Sequence, residues 1–351
     1  MCTDHGWHGA HPPGAARPAE RREPLDIPLQ PVDSLTITTL VDNLYDALMP
    51  DQGPARRTGP GSGTTGERLP SATMAGGFVP DGLVAEHGYS LLLTLTIAQR
   101  THRLLFDCGV SPDGMVENMR RLDVDPRDVE AVVLSHGHFD HTAGLDGLMR
   151  RLGRSNLPLL LHPDFWNRRR VQVPGRDPRE LPTTSRSALE GGGFTIVEDR
   201  QPSFLFQDAL LVTGEVDRTS GYEPGFPPQE AWTGERWEPD PLVLDDQAVV
   251  VDVRDRGLVV ITGCGHAGVV NTARYAQKLT GVQRVCGVIG GFHLSGPAFE
   301  PIIDRTCADL AALDPEIVVP GHCTGWRGQH ALTRTFGDRL VPSCVGTRFE
   351  L

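Results

Sequence analysis

The sequence predicts an α/β fold in which β-sheets are covered by helices. Strand-like segments come in pairs through the first part of the chain, and strands alternate with helices through the last third. Sheets flanked by helices produce that order. Composition agrees: 39% of the 351 residues are apolar, enough for a substantial core. No apolar run reaches the 18 or more residues of a membrane-spanning helix. No short fixed repeat occurs, which excludes a solenoid.

Residues 1–33 are rich in Pro, Gly, Ala and Arg without periodicity, and are expected to form a disordered tail. Cys2, His5, His8 and His11 recur there at every third position. Gly6 and Gly9 between them, and Pro12 and Pro13 directly after, make a rigid metal site hard to build. A single domain is expected over residues 34–351. It should open on Ser34–Val41, which alternates and is β-branched. Pro50 to Gly77 reads as a long surface loop between strands. Tyr89–Ile97 and Arg103–Phe106 follow as strands, and Met115–Leu122 has helical spacing. Val129–Leu134 is a short apolar run, hence a buried strand, with a helix expected over Thr142–Leu152.

Leu157–Leu161 and Phe194–Val197 are expected strands, and Phe204–Phe206 with Ala209–Val212 a hairpin. Between Asp217 and Pro241, Tyr222, Phe226, Trp232 and Trp237 stand among prolines and glycines. That stretch is expected to lack regular structure, either as a lid over a pocket or as a loop packed on the body. The last third alternates. Ala248–Val253, Leu258–Ile261, Val285–Ile289 and Ile317–Val319 are strands. Val269–Leu279, Ala298–Leu313 and Arg327–Phe336 are helices.

The net charge of −12 argues against a nucleic-acid binder, which needs a basic face. The seven cysteines, Cys2, Cys108, Cys264, Cys286, Cys307, Cys323 and Cys344, are odd in number and irregular in spacing. The first residues lack the apolar stretch of an export signal. Reduced thiols in a cytoplasmic protein are expected, without a membrane partner.

Chemistry concentrates in His136-Gly137-His138-Phe139-Asp140-His141, directly after a buried strand. Imidazole and carboxylate are the usual ligands of zinc and similar ions. His136 and His138, two apart in extended chain, face the same way and can share one ion. Asp140 and His141 come where the chain turns, and can point at a second ion beside it. Gly137 permits the tight turn. Two ions need more donors. His266, His293 and His322 each follow an apolar strand and a glycine, and strand C-termini are where open sheets gather ligands. His102, His162 and His330 have no such setting and read as ordinary polar positions; His87 is intermediate. Asp107 closes another strand, and a hydrogen bond that orients the metal-binding loop would give its carboxylate a partner.

His-x-His-x-Asp-His after a strand, the preceding Phe106-Asp107-Cys108-Gly109, and a late Gly321-His322 resemble the metallo-β-lactamase superfamily, over roughly residues 35–345. That resemblance implies an αβ/βα four-layer sandwich of two mixed β-sheets flanked by helices, and usually a binuclear metal site. Four further blocks are similar to a narrower branch: Glu86-His87-Gly88-Tyr89-Ser90, Thr262 to Gly268, Gly290 to Leu294, and Pro320 to Gly325. That branch is the dihydropterin-methyl ribofuranosylaminobenzene 5′-phosphate synthase-like proteins, whose namesake joins a pterin to an aminobenzene ribose phosphate. One departure stands out. Many binuclear relatives place a bridging Asp where this chain has Cys264. Either Cys264 binds as a thiolate, or it is a packing residue and His266 reaches the ion.

The resulting expectation places His136, His138 and His266 on one divalent ion and Asp140, His141 and His322 on the other. Zinc is the first choice, with manganese, magnesium or iron as alternatives. A water between the ions would be acidified toward about pKa 7. Asp140 would accept or relay its proton, and His293 beside Phe292 would face a small-molecule substrate. The first functional reading is a hydrolase of an ester, lactone or phosphate-containing substrate. The second is a pterin-type transferase, and the third a mononuclear iron redox enzyme. Arg168-Arg169-Arg170, with Arg176 and Arg179, either neutralises a substrate phosphate or forms a solvated face.

Overall fold

Alternation along the strands decides the layering. Leu91, Leu93, Leu104, Phe106 and Val133 point to one side of the first sheet, and Leu92, Leu105 and Val132 to the other. A sheet apolar on both faces must be covered on both. The computed structural model describes residues 28–58, 67–153 and 155–351. Its first sheet has eight strands in the order Phe194–Glu198, Leu157–Leu161, Ala131–Val133, Arg100–Phe106, Ser90–Ile97, Ser34–Val41, Arg348–Glu350, Ala55–Arg56. The second has six: Ser203–Leu205, Leu210–Val212, Val249–Val253, Gly257–Thr262, Val285–Gly291, Ile317–Gly321. Their facing sides merge into one apolar layer, in which Ile37, Phe106 and Val133 meet Val249, Val259, Ile261 and Ile289.

Helices close the outer faces. Gly114–Arg121, Leu145–Leu152 and Arg186–Gly192 cover the first sheet through Met115, Leu148 and Leu189. Val269–Thr280, Ile303–Ala312 and Gly325–Phe336 cover the second through Val270, Leu279, Leu310 and Leu332. The molecule is an αβ/βα sandwich of four layers. Arg100–Phe106, Ala131–Val133 and Leu157–Leu161 run parallel, as do Gly257–Thr262, Val285–Gly291 and Ile317–Gly321. Each parallel set therefore delivers its C-terminal loops to one edge. The loops carrying Asp107, His136, His266, His293 and His322 all leave from such ends. No helix among the described residues is long and apolar enough to cross a membrane.

The structure departs from the sequence expectations in four places. Residues 28–33, expected in the tail, are packed on the body. Leu29 joins the apolar cluster of Leu211, Val250 and Tyr275, and Val32 N donates to Asp252 O at 2.8 Å. The remainder of that tail, residues 1–27, lies outside the described residues. The 50–77 stretch is not all loop: Ala55–Arg56 forms a sheet edge on Arg348–Glu350, and Arg68–Pro70 pairs with Phe78–Pro80. Residues 59–66 lie outside the described residues. The 217–241 stretch contains two strands, Gln229–Trp232 and Trp237–Pro239. With Arg169–Val171 and Arg179–Glu180 they form a small four-stranded sheet. A cross-strand Trp232–Trp237 pair, rings 5.4 Å apart, supports that hairpin. The helix expected over Thr142–Leu152 is broken into Phe139–Thr142 and Leu145–Leu152. Between them Gly144 lies so close to the Cys108 carbonyl that an added Cβ would stand 1.9 Å from its oxygen.

Candidate metal centre

The loop after Ala131–Val133 is held from both sides before it offers any ligand. Asp107, in the left-handed region at φ 58°, turns its buried carboxylate onto that loop. Its Oδ1 accepts Ser135 N at 2.7 Å. Its Oδ2 accepts the Ser135 hydroxyl at 2.8 Å and faces His141 Nδ1 at 2.6 Å. From the second sheet's side, Asp245 Oδ2 accepts Gly137 N at 2.8 Å, and Gln247 Nε2 donates to Leu134 O at 2.9 Å. Gly137 is required by proximity: a Cβ there would stand 2.3 Å from the Phe165 carbonyl oxygen.

Two donor sets result. Ligand atoms of His136, His138 and His266 lie within 4.8 Å of one another, as do those of Asp140, His141, Cys264 and His322. The sets adjoin, with the His136 and His141 rings 4.4 Å apart. In the first, His136 Nε2 lies 2.8 Å from His138 Nδ1. In the second, His141 Nε2 is 3.1 Å from Cys264 Sγ, and His322 Nε2 is 3.3 Å from Asp140 Oδ2. His322 sits at φ 47°. Its N donates to Asp42 Oδ1 at 2.9 Å and its carbonyl accepts Asn43 Nδ2 at 2.9 Å, contacts that hold the strained turn in place.

Burial and neighbouring charge set the protonation of these groups. Burial pushes His136 and His266 well below the usual imidazole range, and neighbouring imidazoles push further. Burial, then the Arg169 charge, lowers His138 to about 4. Neutral imidazole is the ligating form. Burial also disfavours the charged form of His141, but the Asp107 and Asp140 carboxylates outweigh it and hold His141 at about 9. Burial alone would raise Asp140, yet His141, His322 and His138 keep it well below the ordinary carboxylate range. Burial pushes the Cys264 thiol up.

A divalent ion fits this arrangement. Both ring nitrogens of His266 and of His322 are buried with no hydrogen-bond partner among the described residues, as is Asp246 Oδ1. Such orphaned groups are costly unless something binds them. The mixed nitrogen, oxygen and sulfur donors suit zinc and its neighbours.

The other expected site residues fall around this centre. His293, at φ 43°, lies with its ring 4.3 Å from that of His266, and Cys264, His266 and His293 form a further close group. Phe292 is 3% exposed within the helix-covered apolar cluster; the rings over His293 are Phe226 and Phe299. His87 is exposed, its ring 5.0 Å from that of His322. His162 is no ordinary polar position: it is 1% exposed, 3.2 Å from Glu215. The arginines divide: Arg176 and Arg179 are exposed, whereas the run itself is engaged by acids. Arg168 pairs with Glu180 and Arg170 with Glu230, both at 2.5 Å. Arg169 is buried against Asp245 at 2.5 Å. Sequence reasoning missed Gln229, whose Oε1 lies 2.6 Å from His138 Nε2, and Asp245 with Asp246. Two acids and Gln247 directly before the apolar run 248–253 were the available signal, since carboxylates there need partners.

Comparison with known proteins places this geometry in context. A family model described as the metallo-beta-lactamase superfamily matches residues 86–277. The 7,8-dihydropterin-6-methyl-4-(beta-D-ribofuranosyl)-aminobenzene-5'-phosphate synthase of Methanocaldococcus jannaschii is 28% identical over 262 residues, 72% of this chain and 86% of the relative. An uncharacterised protein of the same organism is 28% identical over 260 residues, 71% of this chain and 87% of its own. The crystal structure of Tm1679, a metal-dependent hydrolase of the beta-lactamase superfamily, aligns with a TM-score of 0.66 at 24% identity, covering 90% of this chain and 99% of that one. The last likeness is one of fold.

Proposed function

This chain belongs to the metallo-beta-lactamase superfamily, and from that premise we propose that it is a metal-dependent hydrolase of a small ester, lactone or phosphate-bearing substrate. The observation that carries the reading is the pair of adjoining buried donor sets in which the ring nitrogens of His266 and His322 have no hydrogen-bond partner among the described residues, His322 meeting only the Asp140 carboxylate of its own set at 3.3 Å. His136, His138 and His266 would hold one divalent ion. Asp140, His141 and His322 would hold a second, with Cys264 among them as a further donor. Zinc fits the donors. Ions bound there supply a Lewis acid and acidify a water. Asp140, kept ionised by the imidazoles around it, is suited to hold the ion as a carboxylate, and its oxygen beside His322 Nε2 would relay a proton rather than retain it. His293, under Phe226 and Phe299, presents a ring nitrogen where these phenyl rings limit water.

Hydrolysis puts a solvent oxygen into product, so turnover in ¹⁸O-labelled water should label it. An unlabelled product would overturn the hydrolase reading. It would favour group transfer instead, the reading supported by 28% identity to a synthase. Metal content of two zinc, manganese or magnesium ions per chain, rather than one iron, separates both from redox chemistry.

His293→Ala should lower turnover about 10²–10⁴-fold, the usual contribution of an acid–base group, while elemental analysis still finds both ions. His266→Ala should lose an ion from one site. The reverse pattern would exchange the roles of these two histidines.

A further inference from the structure

Resting on the metal-binding reading above, we propose that Gln229, anchored by Asp240 and Arg169, is the positioning residue that holds His138 in the tautomer offering Nδ1 to the ion.

The argument follows the protons. Gln229 Nε2 lies 2.9 Å from Asp240 Oδ2. A carboxylate only accepts, so the amide must turn its NH₂ to Asp240 and its oxygen to His138. That oxygen, 2.6 Å from His138 Nε2, also only accepts, so Nε2 carries the proton. A neutral imidazole has one N–H, which leaves Nδ1 as a bare lone pair. His136 is set in the same way. The single Ser135 hydroxyl proton goes to Asp107 Oδ2 at 2.8 Å. Its oxygen therefore faces His136 Nδ1, 2.9 Å away, as an acceptor, and His136 Nε2 is the second lone pair.

These two lone pairs face each other across 2.8 Å. Without a cation they repel. The metal-free protein would escape if His138 moved its proton to Nδ1 and donated to His136. Gln229 opposes that escape, because His138 Nε2 would then set a lone pair against the Gln229 oxygen. The amide thus disfavours the metal-free tautomer and favours the liganded one.

The small sheet supplies this device. Gln229 and Arg169 lie on its paired strands, with Gln229 opposite Val171 and Ala231 opposite Arg169. Gln229 is fully buried. Arg169 Nε is 3.6 Å from Asp240 Oδ2, and its NH1 and NH2 hold Asp245 at 3.0 and 2.5 Å. Burial raises the Asp240 carboxyl and the guanidinium opposes that rise; the Asp240 carbonyl, 3.3 Å from Gln229 Nε2, accepts whatever the carboxyl's state, so both contacts keep the amide from flipping.

The test uses the full chain as native protein, Gln229→Leu and the polarity swap Gln229→Glu/Asp240→Asn. The swap retains an acceptor for His138 and gives it a donor at position 240. Zinc is titrated into metal-depleted protein against a competing chelator. Gln229→Leu should weaken the first site about 10–100-fold, the usual effect of losing a ligand's hydrogen-bond partner. The swap should restore affinity to near native. Long-range ¹H–¹⁵N spectra of metal-free native protein should show His138 protonated at Nε2. Native affinity in Gln229→Leu, a folded swap that does not restore binding, or His138 protonated at Nδ1 would each overturn the proposal alone. A native protein that binds no divalent ion would remove it together with the metal reading.

Discussion

His138→Ala should purify without the first ion and without activity, while the metal-free variant melts close to metal-free native protein. His138 supplies one of three nitrogens in its set, and its loss leaves His136 and His266 a two-donor site. The substitution also strips Gln229 Oε1 of its partner. The fold should survive, because the imidazole stands at the end of a strand rather than in the layer between the sheets. Without that ion the site would lose the water activation it supplies, so turnover should fall to the background rate. Elemental analysis showing unchanged metal in the variant would remove the central claim.

Arg169→Met should cost about 3–5 kcal/mol of stability, the usual penalty for breaking one side of a buried ion pair. Methionine matches much of the arginine volume, so packing is largely retained and charge is what changes. Asp245, fully buried beneath the guanidinium, would then lie in the interior without its cation. Burial alone raises this carboxyl; Arg169 and His162 bring it below its ordinary value. The native Asp245 therefore contributes stability above the unfolded carboxyl pKa and loses it as pH falls through the lower folded value. Without Arg169 its pKa rises, and protonation at falling pH relieves the buried charge. The gap between native and variant in urea denaturation should narrow as pH falls from neutral. A gap independent of pH would assign the loss to packing.

What could be read from the sequence was local. Val129–Leu134 and Val285–Ile289 are apolar on successive positions because their strands are covered on both faces. The His136–His141 cluster is visible because four of its donors share one loop. What escaped depends on distant partners. Gln229 meets His138 across 91 positions, and Asp245 meets Arg169 across 76; neither leaves a local pattern. Arg169 looked like part of a charged run, because its burial is decided by acids that fold onto it from much later in the chain. The small sheet was hidden because strands of two to four residues are too short for a period to show, and the cross-strand tryptophans stood among prolines and glycines.

Both donor sets draw on the two halves of the sandwich. His136 and His138 come from the first and His266 from the second; Asp140 and His141 from the first, Cys264 and His322 from the second. Neither half by itself carries a complete set. A duplicated or transplanted half would arrive with only part of either set, and its chemistry would depend on the partner it met. Inheritance therefore acts on the halves jointly: a change in the loop of one is judged by selection against the loop of the other, and recombination between distant relatives at the middle of the chain would part ligands that are useful only together.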